Sequence, residues 1–380
     1  MKLMKDEIEK LVQDLVQIDS TDGKSLSTAI KYKEFLDSHG LSSDIDEYED
    51  GTANVYSSIG LKGGPKIVLS GHLDTVPIGV REKWKHDPFS GKIINNELWG
   101  RGSVDMKGGT GCIAGVLVEL LKHESELQCE IVVAASGEEE IALSGASKFA
   151  ADGVMKNSSH LLIAEPTGLK IGIMHKGVIW LDINAQGKSA HGAYPHLGRN
   201  AIEGLANVIP KLYSALPDLE LPEVGKTTLN VGVISGGTKP NVVAESSTVI
   251  IDIRITPGID PDNILKDITE ILDSNSDETL KLSLQIRNKY PPVLSKNNDF
   301  GDTINGILKD YKGELQQFGG LRYATDASVL FNENPCSLVI FGPGSEDLLH
   351  QTDERLDLTQ LDIARKVIKD SILQINNKIV

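Results

Sequence analysis

Cysteine is nearly absent. The chain holds three, Cys112, Cys129 and Cys336. The number is odd, the positions are scattered and there is no CxxC spacing. A disulfide framework and a thiolate metal site are both excluded as organising principles. Reduced, buried thiols and a cytoplasmic setting are the expectation. Long apolar runs are also missing. No stretch reaches the ~18 consecutive apolar residues of a membrane span, so no membrane partner is expected. The opening Met1-Lys-Leu-Met-Lys-Asp-Glu-Ile-Glu-Lys10 lacks the apolar core and cleavage site of a signal peptide. Runs of Lys and Arg are lacking too. The formal net charge is -16, and phosphate backbones need a basic surface, so nucleic acid is excluded as a partner. There are no internal repeats and no low-complexity tract.

What is present is ordinary for a globular protein: 380 residues, 40% hydrophobic and 24% charged. That length accommodates two domains and a sizeable core. Ile8, Leu11, Val12, Leu15 and Val16 recur at helical spacing and predict an amphipathic helix over 5–18. Another helix is expected over 28–39. From 52 to 135 strand and helix alternate, with a long apolar helix from Met106 to Lys122 opened by Asp105. This argues for an α/β layer with a largely parallel sheet. The texture changes near residue 176. The order then reads strand, helix, strand, strand, helix, strand, ending near Ile286, which is the split βαβ or ferredoxin-like pattern. Pro291-Pro292 marks a return, and 300–380 resumes strand and helix. The expected domains are therefore 1–176 with 290–380, and an inserted 177–289.

Four short stretches end in metal-type residues: Ser70-Gly-His-Leu-Asp-Thr-Val-Pro77, Gly102-Ser-Val-Asp-Met-Lys-Gly108, Ser136-Gly-Glu-Glu-Glu140 and Ala164-Glu-Pro166. A fifth is Gly342-Pro-Gly-Ser…His350. Three follow directly on apolar, strand-like runs: Lys66–Ser70, Ile131–Ala135 and Leu161–Ala164. The fifth has Ser337–Phe341 a few residues upstream. Ligands of open α/β sheets bind beyond the carboxyl ends of strands. His72, Glu139, Glu140, Glu165 and His350 are thereby drawn to one sheet edge, a metal-site composition. Asp74, two residues past His72, shares its face on a strand and either orients the imidazole or ligates directly. Asp105 alone reads as a helix cap, and the acidic run 138–140 alone as a solvated surface. Like charges held at a buried edge, however, require a cation. Gly109-Thr-Gly-Cys-Ile-Ala114 fits the G-x-G-x-x-A dinucleotide pattern but follows no strand, so that reading fails its confirming context.

With those residues in view, the chain resembles the metal-dependent deacylase and peptidase family of acetylornithine deacetylase, succinyl-diaminopimelate desuccinylase, aminoacylase and glutamate carboxypeptidase. The matching stretches are Gly71–Pro77, Gly100–Gly108, Glu138–Glu140, Glu165–Thr167, Ala190-His-Gly-Ala-Tyr-Pro195 and Gly342–Gly344 with His350–Glu354. They run in family order from about 70 to 355. The resemblance implies a zinc-peptidase-like catalytic domain and an inserted α+β lid or dimerisation domain. It implies two divalent metal ions, usually zinc, with cobalt an alternative. Asp105 would bridge them, His72 and Glu165 would complete one, and Glu140 and His350 the other. Glu139 would be the general base, with Asp74 as a further catalytic residue. The residue before the acidic pair is commonly Asp in the family and is Glu138 here. Ile141 and Gly145-Ala146 downstream set the pair at 139 and 140.

His191, Tyr194, Asn241, Arg254 and Thr325 fall where the family places substrate contacts. Arg254 is either a carboxylate clamp or an ordinary partner of Asp252. The activity implied is removal of a small N-acyl group, succinyl or acetyl, from an amino acid in amino-acid biosynthesis, by a homodimer. Ala193–Leu197 is similar to the desuccinylase, Gly342–Ser345 with His350-Gln351 to the deacetylase, and His175-Lys-Gly177 stands where the desuccinylase is arginine-rich. A carboxypeptidase or dipeptidase with the same metals is the alternative. A non-catalytic metal-binding protein on the same fold is disfavoured by the presence of Glu139.

Overall fold

The structure, a computed structural model, describes residues 2–378. Met1 and residues 379–380, which the expected catalytic domain takes in, lie outside the described residues. The chain divides into two compact units. The second comprises His175–Leu294 with Leu321–Ala324, and the first the remainder.

The first unit is an α/β layer on a mixed sheet. From one edge its strands run Ser43–Glu49, Thr52–Gly60, Glu130–Ser136, Lys66–His72, Ser158–Ile163 and Ser337–Ile340. Lys66–His72 is central and parallel to both neighbours, and Ser337–Ile340 runs parallel to Ser158–Ile163. These strands are covered on both faces, which is why their sequences read as unbroken apolar runs. The sheet departs from parallel at its edge. Ser43–Glu49 and Thr52–Gly60 form an antiparallel hairpin, and the latter pairs antiparallel with Glu130–Ser136. Mostly polar residues in Ser43–Glu49 gave no strand signal.

Helices Lys2–Val16, Lys107–Leu120 and Leu358–Asn376 share the core of this unit, with Ile8, Leu11, Val12, Leu15 and Val16 all buried. Helix Lys107–Leu120 starts one turn of chain after Gly102 and is buried along nearly all its length. Glycine allows that. A Cβ on Gly109 would stand 1.9 Å from the Ala164 carbonyl oxygen, so the helix presses on the end of the strand that delivers Glu165. The dinucleotide-like segment 109–114 lies inside this helix. The capping role considered for Asp105 is corrected here. Met106 occupies the cap position and no side chain bonds the first turn, because the Asp105 carboxylate is directed at histidines.

The second unit has strands Gly177–Gln186, Thr228–Gly236, Ser246–Ile255 and Lys281–Tyr290 in one antiparallel sheet. Its order is second, third, first, fourth. Helices Ala201–Leu212 and Pro261–Ser274 connect them in the split βαβ order. The strands alternate, with Ile179, Leu181 and Ile183 facing Val249, Ile251 and the helix residues Leu205, Val208, Ile264 and Ile268 in a separate core. Asn200 and Asp260 cap the two helices by accepting backbone N–H groups.

Candidate metal centre

Each ligand-type side chain of the first unit reaches the site from the end of a regular element. His72 is the last residue of the central strand and is 1% exposed. Its Nδ1 lies 3.0 Å from the Asp74 backbone oxygen. A carbonyl accepts only, so the proton sits on Nδ1 and the Nε2 lone pair is free to ligate. That Nε2 stands 3.0 Å from Asp105 Oδ1. The other Asp105 oxygen, Oδ2, is 3.1 Å from His350 Nε2. One carboxylate therefore presents each of its oxygens to a different imidazole. His350 Nε2 is also 3.3 Å from Glu140 Oε2, while Glu140 Oε1 is buried with no hydrogen-bond partner among the described residues. Ligand atoms of His72, Asp105 and Glu140 lie within 4.8 Å of one another. Glu165 follows the Ser158–Ile163 strand and is 3% exposed. Its approach is fixed by the Ala164 N–H, which donates to Ser70 O at 2.9 Å.

The acidic run resolves into different directions. Glu138 takes a left-handed backbone (φ 59) and its carboxylate accepts from the Ser144 hydroxyl. Glu139 and Glu140 start a short helix. Their backbone N–H groups donate to the two oxygens of Asp74, at 3.1 and 3.2 Å. Asp74, fully buried, thus positions the acidic pair with its carboxylate and orients His72 with its carbonyl. Its side chain stands 3.7 Å from His72 Nδ1, too far for a hydrogen bond.

Electrostatics agree with a cation site. Burial pushes the carboxyl groups of Glu139 and Glu165 well above the usual range, and Glu140 upward too, reinforced in each case by neighbouring carboxylates. Burial acts in the same direction on Asp105, but the His350 and His72 imidazoles against its two oxygens outweigh it and hold its carboxyl well below the usual range. Hydrogen bonds to Asp105 and Glu140 push the His350 imidazole up to about 10. The carboxylate field draws in positive charge, and a divalent ion supplies it without protonating the ligands. The donor set is nitrogen and oxygen only, which suits zinc, cobalt or manganese. Its spacings of 3.0–3.3 Å match the edge of about 3.3 Å expected for tetrahedral bonds of about 2.0–2.1 Å. The residues present fit the ions.

The substrate-contact candidates fall in different places. Thr325 belongs to the first unit, is fully buried, and its hydroxyl accepts the Ala327 N–H at 3.2 Å. His191, Tyr194 and Asn241 are together in the second unit. The Gly192 N–H donates to Asn241 O at 2.7 Å, and the His191 and Tyr194 rings stand 6.0 Å apart. His191 Nδ1 accepts from the Ala193 N–H at 3.1 Å, leaving Nε2–H as a donor. Arg254 donates from Nε and Nη2 to Asp252 Oδ2, at 3.1 and 2.9 Å.

Three residues that sequence reasoning did not single out stand beside the site. Asp326 is 2% exposed and accepts from the Ser136 hydroxyl. Ser136 is paired with His72 across the sheet, and burial pushes the Asp326 carboxyl up to about 6. Arg101 and Glu354 form a buried ion pair at 2.5 Å. Asp326 adjoins Thr325, and Glu354 ends the His350–Glu354 stretch. Their partners are remote in sequence, so spacing carried no signal.

The sequence profile of peptidase family M20/M25/M40 matches residues 68–374. A probable succinyl-diaminopimelate desuccinylase of Staphylococcus aureus is 31% identical over 381 residues, covering 92% of both chains. Among solved structures, a metallo-carboxypeptidase of the M20 family from Sulfolobus solfataricus superposes with a TM-score of 0.81. It covers 96% of this chain and 98% of its own at 18% identity. A dinuclear metal-binding M20 peptidase from Bacillus subtilis gives 0.74, covering 99% of each at 16% identity.

Proposed function

The chain belongs to peptidase family M20/M25/M40, and on that premise we propose that Glu139 is the general base of a two-ion site held by Asp105, His72, Glu165, Glu140 and His350. The protein is a metal-dependent hydrolase of amide bonds that removes a small N-acyl group, succinyl or acetyl, from an amino acid. The observation that carries the site is Asp105, whose two oxygens face the Nε2 atoms of two different histidines.

Divalent ions held by these residues, zinc or cobalt, would supply Lewis acidity toward the acyl carbonyl and acidify water. Around them the chain holds and moves protons. Glu139 stands among His72, Glu165 and Glu140, in surroundings that raise its pKa. A carboxylate of raised basicity takes a proton from the attacking water and returns it to the leaving amine. Asp74 fixes the Glu139 and Glu140 backbone so that base and ligand keep their spacing. His191, with Nε2–H directed outward by the Nδ1 contact, is a donor to the developing oxyanion. Tyr194, Asn241 and Thr325 are its companions in substrate binding. Arg254 would hold a substrate carboxylate through its remaining nitrogen while Asp252 fixes its orientation.

The second unit serves as a lid and dimer interface in this reading. Edge strand Thr228–Gly236 leaves Val233 and Ile234 more than half exposed, and an apolar edge strand is a template for pairing with a second copy. A cytoplasmic location is supported by the free cysteines. No described helix is long and apolar enough to cross a membrane.

The test is hydrolysis of a panel of acetyl-ornithine, succinyl-diaminopimelate, other acetyl amino acids and dipeptides, with chelator and with zinc or cobalt restored. Metal-dependent release of the amine from an N-acyl amino acid is expected. Cleavage confined to dipeptides would replace this reading with a peptidase. No turnover on any substrate, with ions bound, would make it a non-catalytic relative.

A further inference from the structure

The Arg101–Glu354 pair is buried on both sides. The two side chains are 3% and 0% exposed, and Arg101 Nη1 lies 2.5 Å from Glu354 Oε2. Taking two charges out of water costs several kcal/mol per ion, and well-packed apolar residues often do as well for stability. Its placement suggests another use. Glu354 Oε1 accepts the backbone N–H groups of Val104 and of Asp105 itself, at 2.8 and 3.1 Å. Glu354 lies four residues beyond His350, and its carbonyl accepts the Gly100 N–H at 2.9 Å. Arg101 Nη2 reaches the Pro77 carbonyl at 3.3 Å, at the end of the loop that begins with His72. The guanidinium also stacks over the Trp84 ring at 5.3 Å. One ion pair therefore binds the backbone of all three loops that carry His72, Asp105 and His350.

We infer that Arg101 and Glu354 are positioning residues that set the spacing of these three loops, and hence the affinity of the site for its ions. The inference rests on the two-ion reading of that site. Neither side chain is among the atoms facing the cluster. Their action runs through main-chain hydrogen bonds, as outer groups commonly orient metal ligands. Glu354 fixes the Asp105 backbone while the Asp105 oxygens divide between the histidines. The guanidinium of Arg101 holds Glu354 Oε2, which leaves Oε1 aimed at both N–H groups.

The test is zinc affinity, measured by competition with a chromophoric chelator, and the visible spectrum of the cobalt-loaded protein. Both are recorded beside circular dichroism and thermal unfolding. Glu354→Asp keeps the charge but shortens the reach. Glu354→Gln keeps an acceptor but loses the ion pair. Each is expected to weaken zinc binding by about 10–100-fold and to shift the cobalt bands while the secondary structure remains. Arg101→Lys, which keeps the charge but loses the second arm to Pro77, carries the same expectation should a Glu354 variant fail to fold. Folded variants with wild-type affinity and an unchanged cobalt spectrum would overturn the inference and leave the pair a purely structural one. A wild-type chain that binds no ion would instead remove the site reading on which it rests.

Discussion

Glu139 and Glu140 are neighbours in sequence and differ in what they face. Glu140 stands 3.3 Å from His350 Nε2, whereas Glu139 forms no such ion pair among the described residues and sits in the combined field of His72 and Glu165. Glu139→Gln is expected to lower kcat by about 10²–10⁴-fold while zinc content and KM stay near wild type. Steady-state kinetics with metal analysis of the same sample check it. Lost metal in that variant would mean the base and ligand positions have been exchanged. His72, Asp105, Glu140, Glu165 and His350 were legible as candidates because each ends an apolar run or belongs to a stretch shared with a known family. The direction that each of the three consecutive glutamates takes was not. It depends on the left-handed turn at Glu138 and on Asp74 holding the next two N–H groups. Asp74 itself illustrates the limit. Strand geometry led to the expectation that it lies near His72, but the strand ends at His72, and the grip of its carboxylate on residues 65 and 66 positions away carried no signal.

At the scale of elements, the site depends on how closely a helix can approach a strand end. Helix Lys107–Leu120 touches the Ala164 carbonyl through Gly109. Gly109→Ala would have to push the helix or the strand end aside, and overpacking of this kind costs about 1–3 kcal/mol. Because Asp105 precedes that helix and Glu165 follows Ala164, zinc affinity should fall together with the denaturation midpoint. A variant destabilised by that amount but with unchanged zinc affinity would show that the contact does not set the ligand spacing. Buried parallel strands announced themselves as continuous apolar runs, and the amphipathic helices as periodic ones. The edge hairpin did not, because Ser43–Glu49 is a mostly polar strand with only its inner face against the core.

For the whole molecule, the pH response of stability separates the site from the rest of the fold. His175 is fully buried, its Nε2 has no hydrogen-bond partner among the described residues, and burial pushes its pKa down to about 4. The unfolded value is about 6.5. Between these values the unfolded chain binds more protons, so stability rises with pH through that window. The contribution is fully present above about pH 6.5 and is lost progressively as pH falls toward 4, by at most about 3 kcal/mol. Urea midpoints from pH 4 to 7 should show this slope in the wild type and a shallower one in His175→Phe. Equal slopes would assign the acid sensitivity elsewhere. The two-part organisation was legible from the change in element order near residue 176. That Leu321–Ala324 groups with the second unit was not, because a four-residue return has no periodicity to read.

The most direct test of the account is a calorimetric titration of chelator-treated protein with zinc, run on the wild type and on Asp105→Ala. The account predicts two ions per wild-type chain and the loss of tight binding at both positions in the variant, since Asp105 faces both histidines. A wild-type chain that takes up one ion, or a variant that still takes up two, would contradict it.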